Sequence, residues 1–213
     1  MSVVVTIVDY GMGNIFSIIN ALGKVGAEPR LSGDPREVAS ADRVVLPGVG
    51  AFKDGMEGLA ERGLVEALRE FAARERPLLG ICLGMQMMLD TGLEFGVWDG
   101  LGLIPGTVER IQDTGVDGRP HKIPHIGWNR LIPPHEGAWR GTILENVEPG
   151  SRAYFVHSFM AMPVNEEHRM ADTYYNGRRI TAAVRRGCLY GCQFHPEKSG
   201  RVGLGILSQF LAG

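Results

Sequence analysis

One cysteine and one histidine in this sequence are placed as a nucleophile and its base would be. Cys82 lies in Gly80-Ile-Cys-Leu-Gly84, after the apolar run Leu78–Ile81, whose length is typical of a buried strand. The small residues around Cys82 favour a sharp strand-to-helix elbow, which strains the backbone and presents the side chain above a sheet. A thiol at the start of a helix is favoured as the thiolate, its reactive form. The pattern therefore indicates a nucleophile at Cys82, with a buried structural cysteine as the alternative.

The matching base lies far along the chain, in Gln193-Phe-His-Pro-Glu197. Pro196 has a restricted φ and keeps His195 extended, in a turn from which the Glu197 carboxylate can reach the imidazole N–H. A carboxylate in that position fixes one tautomer, as the third member of a catalytic triad does. Cys82 would then be the nucleophile, His195 the base and later the acid, and Glu197 the orienting group of a hydrolase that forms a thioester. A histidine that only ends a strand is the alternative for His195 taken alone.

A glycine-rich turn, Pro47-Gly-Val-Gly50, is the candidate for stabilising negative charge. The glycines on either side of Val49 let its peptide plane rotate at little steric cost, so that its N–H can face a developing oxyanion. Because right-handed crossovers bring the carboxyl ends of parallel strands together, we expect this turn and Cys82 to meet at one edge of the sheet. Without a nucleophile there, a simple turn would be the better interpretation.

The surrounding pattern predicts an α/β protein with a mostly parallel central sheet, helices on both faces and an antiparallel C-terminal portion. In the first half we expect strands over residues 2–8, 28–31, 43–46 and 78–81, with helices over 15–25 and 64–72 between them. A helix with Met85, Met88 and Leu89 on one face follows the elbow. In the second half we expect a strand over 152–159, a hairpin of 180–184 with 188–194, and a helix over 201–211. With no linker or repeat, residues 1–213 are predicted to form one domain.

Composition argues against several classes of function. The chain has 213 residues, 44% of them hydrophobic and 22% charged, and a net charge of -2 without a Lys/Arg block, so we expect no binding to nucleic acid or membrane. The first apolar run is too short for a signal peptide or a membrane span. Three cysteines match neither a disulfide framework nor a zinc pattern, which favours a reduced, cytoplasmic enzyme without a metal. Gly11-Met-Gly13 lacks the third glycine of a dinucleotide fingerprint, because position 16 is Phe, and no cofactor is expected.

The three blocks 47–50, 80–86 and 193–197 resemble, in this order, the signature blocks of class I (triad) glutamine amidotransferases, a family with a flavodoxin-like fold. Blocks 4–14, 124–129, 154–158 and 195–199 are similar to those of one subfamily, the glutaminase subunits of imidazole glycerol phosphate synthases. The resemblance implies that Cys82 attacks the side-chain amide of L-glutamine and that ammonia leaves. Water would then release glutamate from a γ-glutamyl thioester.

The same resemblance implies roles for further residues. Leu83 N–H would donate one oxyanion hydrogen bond, and Val49 or Gly50 the second after the turn rearranges. Phe159 stands where a tyrosine is expected in the family, so no hydroxyl is present there. The residues that would contact glutamine are Gln86, Glu94, His157, Ser158 and Phe159.

A partner protein is also implied. It would be a (β/α)8 cyclase subunit that receives ammonia through its interior and forms imidazole glycerol phosphate and an aminoimidazole carboxamide ribotide in histidine biosynthesis. Trp and Tyr are common anchors of such heterodimer interfaces. The residues that match interface positions are Asn14, Trp128, Asn129, Tyr154 and Lys198.

Three other functions stay open at the level of sequence. An amidotransferase subunit could serve another acceptor, such as chorismate or a pyridoxal precursor, although residues 124–129 and Lys198-Ser199 argue against this. A regulatory protein on the same fold would carry an inert elbow, against which the complete triad argues. A stand-alone cysteine hydrolase would work at its full rate without a partner.

Overall fold

The computed structural model describes residues 2–213. The strands are β1 (Val3–Val8), β2 (Ala27–Ser32), β3 (Val44–Leu46), β4 (Leu78–Ile81), β5 (Leu89–Gly92), β6 (Trp98–Asp99), β7 (Ile104–Arg110), β8 (His125–Arg130), β9 (Arg152–His157), β10 (Phe159–Pro163), β11 (Arg169–Tyr175), β12 (Arg178–Arg186) and β13 (Leu189–Cys192). The helices are α1 (Ile15–Lys24), α2 (Pro35–Ser40), α3 (Phe52–Glu61), α4 (Leu64–Ala73), α5 (Leu83–Met87) and α6 (Gly200–Ala212). Two 3-10 turns lie at Glu166–His168 and Pro196–Lys198.

A seven-stranded sheet with the order β11-β12-β13-β4-β3-β1-β2 organises the fold. The five strands from β13 to β2 run parallel, and β12 and β11 extend one edge antiparallel. Apolar cores cover both faces, since Ile7 belongs to one core cluster and its neighbour Val8 to the other. Strands buried on both faces require nearly continuous apolar runs, and β4 and β1, in which only Thr6 is polar, have such runs. The predicted α/β class with its antiparallel C-terminal portion is confirmed, and β10-β7-β5-β6 and β8-β9 form two smaller sheets.

The helix expected after the elbow is much shorter than predicted. It ends at Met87, and Leu89 already begins β5. The carbonyl oxygen of Met87 accepts the N–H of Leu101 at 2.8 Å, and that of Met88 accepts the N–H of Leu103 at 2.9 Å. A distant segment thus takes the acceptors that a longer helix would need, which the local pattern could not indicate.

Two other features differ from the sequence prediction. The pattern does not predict α2 and α3, and α2 is only six residues long, too short for a clear period. Its start is nevertheless well defined, because the Asp34 side chain accepts the N–H of Arg36 at 2.7 Å and Pro35 follows. The strand expected over 152–159 is divided at Ser158 into β9 and β10.

Over residues 2–213, no helix has the length and apolar character that crossing a membrane requires.

Gly203 and Gly205 have different roles in α6. A Cβ atom added at Gly203 would lie 1.9 Å from the carbonyl oxygen of Pro196, whereas Gly205 is exposed and has nothing within 4 Å of such an atom. Gly203 therefore lets α6 pack directly against the turn that carries His195. No contact requires a glycine at position 205, so Gly205 only lowers the stability of the helix through the conformational entropy that its backbone loses on folding.

We expect Gly205→Ala to raise the free energy of unfolding by about 0.5–1 kcal/mol, because alanine is the better helix former and meets no obstacle. Gly203→Ala should lower it by about 1–3 kcal/mol or more, since the added methyl group overlaps main-chain atoms. Urea unfolding followed by circular dichroism measures both values. The two substitutions are matched controls for each other, and effects of the same sign and size would contradict this assignment.

Candidate active site

Cys82 occupies the turn between β4 and α5. Its φ of 54° and ψ of -110° lie outside the regions that residues with a Cβ favour, which costs of the order of 1–3 kcal/mol. Neighbouring segments hold this conformation, since Cys82 N–H donates to the Cys192 carbonyl at 2.7 Å and Gln86 N–H donates to the Cys82 carbonyl at 3.1 Å. A Cβ atom at Gly84 would lie 1.9 Å from the Leu46 carbonyl oxygen. The backbone therefore has the sharp elbow that the sequence indicates.

His195 reaches the same edge of the sheet from β13, the neighbour of β4. Its Nδ1 atom lies 2.8 Å from Oε1 of Glu197, and the two side chains are 3% and 0% exposed. The backbone N–H of His195 donates to the Tyr154 carbonyl at 2.9 Å, which ties the turn to β9. Because the carboxylate accepts the proton at Nδ1, Nε2 is the atom that can exchange a proton with a reacting group. This Nε2 is buried and has no hydrogen-bond partner in the described part of the chain.

The surroundings of His195 favour its protonated form. Burial by itself lowers the pKa of His195, but interactions with Cys82 and Glu197 outweigh burial and raise the pKa to about 9. The Cys82 sulfur stabilises the imidazolium by its charge, because His195 Nε2 makes no hydrogen bond with it. An imidazolium beside a sulfur nucleophile can stabilise a thiolate and protonate a leaving group, which is the chemistry of acyl transfer through a thioester. Among residues 2–213, no three or more His, Cys, Asp or Glu side chains are grouped as metal ligands.

The turn Pro47–Gly50 lies against the elbow, at the edge where the sequence predicts it. A Cβ atom at Gly48 would lie 2.8 Å from both the backbone nitrogen of Gly84 and the Cβ of Leu83. Only a residue without a side chain permits this approach. Further along the turn Val49 is 43% exposed, and Gly50 has a φ of 107°. The turn therefore packs directly against the start of α5, beside the elbow.

Tyr10 anchors the first residue of the turn. Its hydroxyl group donates to the Pro47 carbonyl at 2.8 Å, and the side chain is 1% exposed. Burial, followed by the charge of Cys82, raises the pKa of Tyr10, so its hydroxyl group keeps its proton and stays a donor. The turn is thus fixed at Pro47 and open to solvent at Val49.

Three of the residues expected to contact substrate are joined by hydrogen bonds beside the nucleophile. The Phe159 carbonyl accepts Nε2–H of Gln86 at 3.0 Å and Nδ1–H of His157 at 2.8 Å. Gln86 Nε2 also lies 3.0 Å from Oε1 of Gln193, whose Nε2 donates to Cys82 Sγ at 3.7 Å. The structure therefore brings Gln86, His157 and Phe159 into one network with Cys82.

Glu94 and Ser158 lie outside this network. Oε2 of Glu94 accepts the N–H of Phe52 at 2.7 Å, at the start of α3 and two residues after the oxyanion turn. Ser158 is half-buried, and its carbonyl accepts the N–H of Ile111 at 2.9 Å. No hydrogen bond joins either residue to Gln86 or Cys82 in the described chain.

Three of the residues expected at a partner interface, Trp128, Asn129 and Tyr154, lie on the ribbon β8-β9. Trp128 is 52% exposed, pairs with Tyr154 in the strand register, and packs edge-on against it with 6.0 Å between the ring centroids. Asn129 donates through Nδ2 to the Tyr174 carbonyl at 2.7 Å. Lys198 is exposed in the turn of the triad, and Asn14 is half-buried before α1.

Gln193, Tyr10 and His125 also belong to the site, and the sequence analysis did not single them out. Gln193 lies two residues before His195, so its position in the same block was an available signal. Tyr10 follows β1 by two residues, at the edge where ligands bind in parallel sheets. His125 lies in the block 124–129, and its contact with His157, at 3.0 Å between Nδ1 and Nε2, depends on the pairing of β8 with β9 and could not be derived from the local pattern.

Comparisons with known proteins identify the family of the chain. The family model "Glutamine amidotransferase class-I" matches residues 6–212. The imidazole glycerol phosphate synthase subunit HisH 1 of Legionella pneumophila (strain Lens) is 55% identical over 208 residues, which are 97% of this chain and 98% of that protein. The HisH subunit of Geobacillus sp. (strain WCH70) is 45% identical over 204 residues, covering 96% of this chain and 94% of that protein.

Solved structures agree on the fold. The structure of PurLQS from Thermotoga maritima has a TM-score of 0.74 and 21% sequence identity, and the match covers 100% of this chain and 99% of that chain. At this identity the likeness concerns the fold alone. Together, the family model and the two full-length relatives show that this chain belongs to the class I glutamine amidotransferases, among the HisH subunits of imidazole glycerol phosphate synthase.

Proposed function

We propose that this protein is the glutaminase subunit of imidazole glycerol phosphate synthase, which hydrolyses L-glutamine and passes the ammonia to a cyclase subunit in histidine biosynthesis. The observation that carries the proposal is the buried Cys82–His195–Glu197 site in a chain that is 55% identical to a HisH subunit over 97% of its length. The proposal includes a single glutamine amidotransferase domain over residues 1–213. Its three unpaired cysteines, Cys82, Cys188 and Cys192, support a location in the cytoplasm.

The reaction begins when His195 takes the thiol proton of Cys82 on Nε2 and the resulting thiolate attacks the side-chain amide carbon of glutamine. Negative charge develops on the amide oxygen, to which Leu83 N–H and the N–H of Val49 or Gly50 donate. His195 gives its Nε2 proton to the leaving nitrogen, which departs as ammonia and leaves a γ-glutamyl thioester. Water then attacks the thioester while His195 takes its proton. Glutamate leaves, and the thiolate and the imidazolium are restored.

Glutamine lies between the elbow and the junction of β9 and β10. The Glu94 carboxylate faces the substrate ammonium group, and the segment 157–159 borders the α-carboxylate. The hydrogen bond from Gln86 to the Phe159 carbonyl supports this placement, because it holds both residues beside Cys82. Phe159 contributes its main chain, since it has no hydroxyl group.

The partner is a (β/α)8 cyclase subunit, with which the chain forms a heterodimer. The exposed Trp128 packs edge-on against the half-buried Tyr154 on the ribbon β8-β9, and aromatic residues of this kind often anchor protein interfaces. The remaining contacts are assigned to Asn14, Asn129 and Lys198. Direct transfer through the partner keeps ammonia from being protonated in solvent.

The test is to mix the chain with the cyclase subunit from the same genome and to measure glutamate release with and without imidazole glycerol phosphate. We expect slow release from the chain alone and strong stimulation by the partner with its ligand. Full-rate hydrolysis without a partner would indicate a stand-alone hydrolase. Stimulation only by another synthase from a panel of candidates would assign another acceptor. No covalent labelling of Cys82 by a glutamine-like diazo-ketone would favour a regulatory protein.

The pH dependence of glutamate release should reflect His195. Because His195 must hold a proton for the leaving nitrogen and its pKa is about 9, we expect kcat/KM of the stimulated complex to fall as the pH rises through about 9. Glu197→Gln removes a negative charge that raises this pKa, so its alkaline limb should move to lower pH. Glu61→Gln, at an exposed position of α3, is the control and should leave the limb in place. An unchanged limb in Glu197→Gln would contradict the assignment.

A further inference from the structure

Two buried histidines form a hydrogen-bonded chain behind the site. His125 and His157 face each other across β8 and β9 and are 2% and 6% exposed. Nδ1 of His125 lies 3.0 Å from Nε2 of His157, and Nδ1 of His157 lies 2.8 Å from the Phe159 carbonyl oxygen. On the other side, Nε2 of His125 lies 3.4 Å from Nδ2 of Asn129. All four ring nitrogens therefore have partners.

These partners allow only one arrangement of protons on a neutral pair. A carbonyl oxygen can only accept, so His157 must carry its proton on Nδ1 and accept through Nε2. His125 must then carry its proton on Nδ1 as well, and its Nε2 accepts from the Asn129 amide. The Asn129 orientation agrees with this, because its Nδ2 also donates to the Tyr174 carbonyl at 2.7 Å and its Oδ1 accepts the N–H of Arg130 at 2.8 Å.

Both rings are neutral at physiological pH. Burial lowers the pKa of His125 to about 4, with a smaller effect in the same direction from His121. Burial also lowers the pKa of His157 to about 3, against the opposing effect of its hydrogen bond to the Phe159 carbonyl. The ring of His125 is further held between Phe155 and Tyr175, with centroid distances of 5.1 Å and 4.4 Å.

The chain of hydrogen bonds continues to the nucleophile. The Phe159 carbonyl, which His157 binds, also accepts Nε2–H of Gln86, and the same Nε2 donates to Oε1 of Gln193. Gln193 in turn donates to Cys82 Sγ at 3.7 Å. Since both ring nitrogens of the buried His157 are used within the protein, its imidazole has no nitrogen left for substrate.

We infer that His125 and His157 are positioning residues, which act as neutral Nδ1–H tautomers and hold the Phe159 carbonyl, and through it the Gln86 amide, in the orientation that receives glutamine. The inference rests on the proposed glutaminase function. It changes the role expected for His157, which acts through the Phe159 main chain rather than by contacting substrate with its own side chain. It also adds His125, to which no role was assigned.

The kinetic test compares substitutions that keep one hydrogen bond with substitutions that keep volume. In His125→Asn and His157→Asn, the side-chain amide can donate from about the position of Nδ1, whereas His125→Leu and His157→Leu fill the space without a donor. In the stimulated complex we expect each Leu variant to raise the KM for glutamine about tenfold, with a smaller change in kcat, because a lost buried hydrogen bond corresponds to about a fivefold to tenfold effect. Each Asn variant should return KM to within about threefold of the unchanged protein.

A role in packing alone predicts the opposite order. Leucine is closer to imidazole in volume, so a purely structural histidine would be replaced better by Leu than by Asn. Ammonia-dependent turnover by each complex serves as the control for folding and docking, because it needs the partner but no glutamine. An Asn variant with a higher KM than its Leu counterpart, or Leu variants with unchanged KM, would overturn the inference.

A spectroscopic test does not require any substitution. Long-range proton–nitrogen correlation of the ¹⁵N-labelled full chain should show His125 and His157 as neutral Nδ1–H tautomers at pH 7. Either ring in the Nε2–H or the doubly protonated form would overturn the inference, whatever the kinetics. Failure of the unchanged complex to hydrolyse glutamine would instead overturn the proposed function, so the two failures are distinguishable.

Discussion

Cys82→Ala should abolish glutamine-dependent synthase activity of the complex, by about 10⁴-fold or more, while ammonia-dependent activity survives. Loss of the nucleophile removes the thioester route entirely, and losses of this size are typical when a triad nucleophile is deleted. Ammonia-dependent turnover takes place on the partner and needs only an assembled complex. Parallel assays with glutamine and with ammonium salt measure the two rates on the same preparation.

The matched control for this prediction is Cys188→Ala. Cys188 is half-buried just before β13 and lies outside the hydrogen-bond network of Cys82, so both activities should stay within a few-fold of the unchanged protein. A glutamine-like diazo-ketone should label the Cys188→Ala protein and not the Cys82→Ala protein. Equal loss of glutamine-dependent and ammonia-dependent activity in Cys82→Ala would contradict the assignment, since it would mean that the substitution damages the complex rather than the chemistry.

Val49→Pro should lower the stimulated glutaminase activity by about 10²–10³-fold, the effect of removing one oxyanion donor. Proline has no backbone N–H, and Val49 lies at the exposed end of a turn that Tyr10 anchors through Pro47. We expect that docking of the partner rotates the 48–49 peptide, so that the N–H of Val49 faces the substrate oxygen. Control of the glutaminase would then reside in the turn as much as in the triad.

The control here is Val49→Ala, which keeps the N–H. Because the Val49 side chain is 43% exposed, its truncation removes little buried surface, and activity should stay within a few-fold. Glutamate release at saturating partner and ligand measures both variants, and circular dichroism checks that the proline variant is folded. Full stimulated activity of a folded Val49→Pro complex would exclude Val49 as a donor and leave Gly50 for that role.

Local signals were sufficient for the parts of the fold in which one segment determines its own conformation. The apolar run of β4 and the small residues around Cys82 predicted the elbow, and Pro196 predicted the extended backbone at His195, for which φ is -98° and ψ 97°. Strand–helix alternation predicted the parallel sheet. These features depend on backbone sterics and on runs of apolar residues that suit a doubly buried sheet. Both are properties of residues that are neighbours in the sequence.

Contacts between distant segments decided the remainder. α5 is short because Leu101 and Leu103 take the carbonyl groups of Met87 and Met88, and no local pattern records that competition. Gly203 and Gly205 are equivalent in the sequence, yet only Gly203 meets the Pro196 carbonyl. In both cases the residue that decides the outcome is remote in the chain.

The elbow shows the same division between local and tertiary information. The sequence by itself predicted a strained elbow at Cys82 and an extended turn that carries His195 and Glu197, because those signals lie within blocks of five to seven residues. Only the tertiary structure decided what surrounds it: Tyr10 on the Pro47 carbonyl, Gln193 on the sulfur, and the His125–His157 pair behind Phe159. The physical reason is that hydrogen bonds depend on distances and proton positions, which are determined only when separate strands pack together.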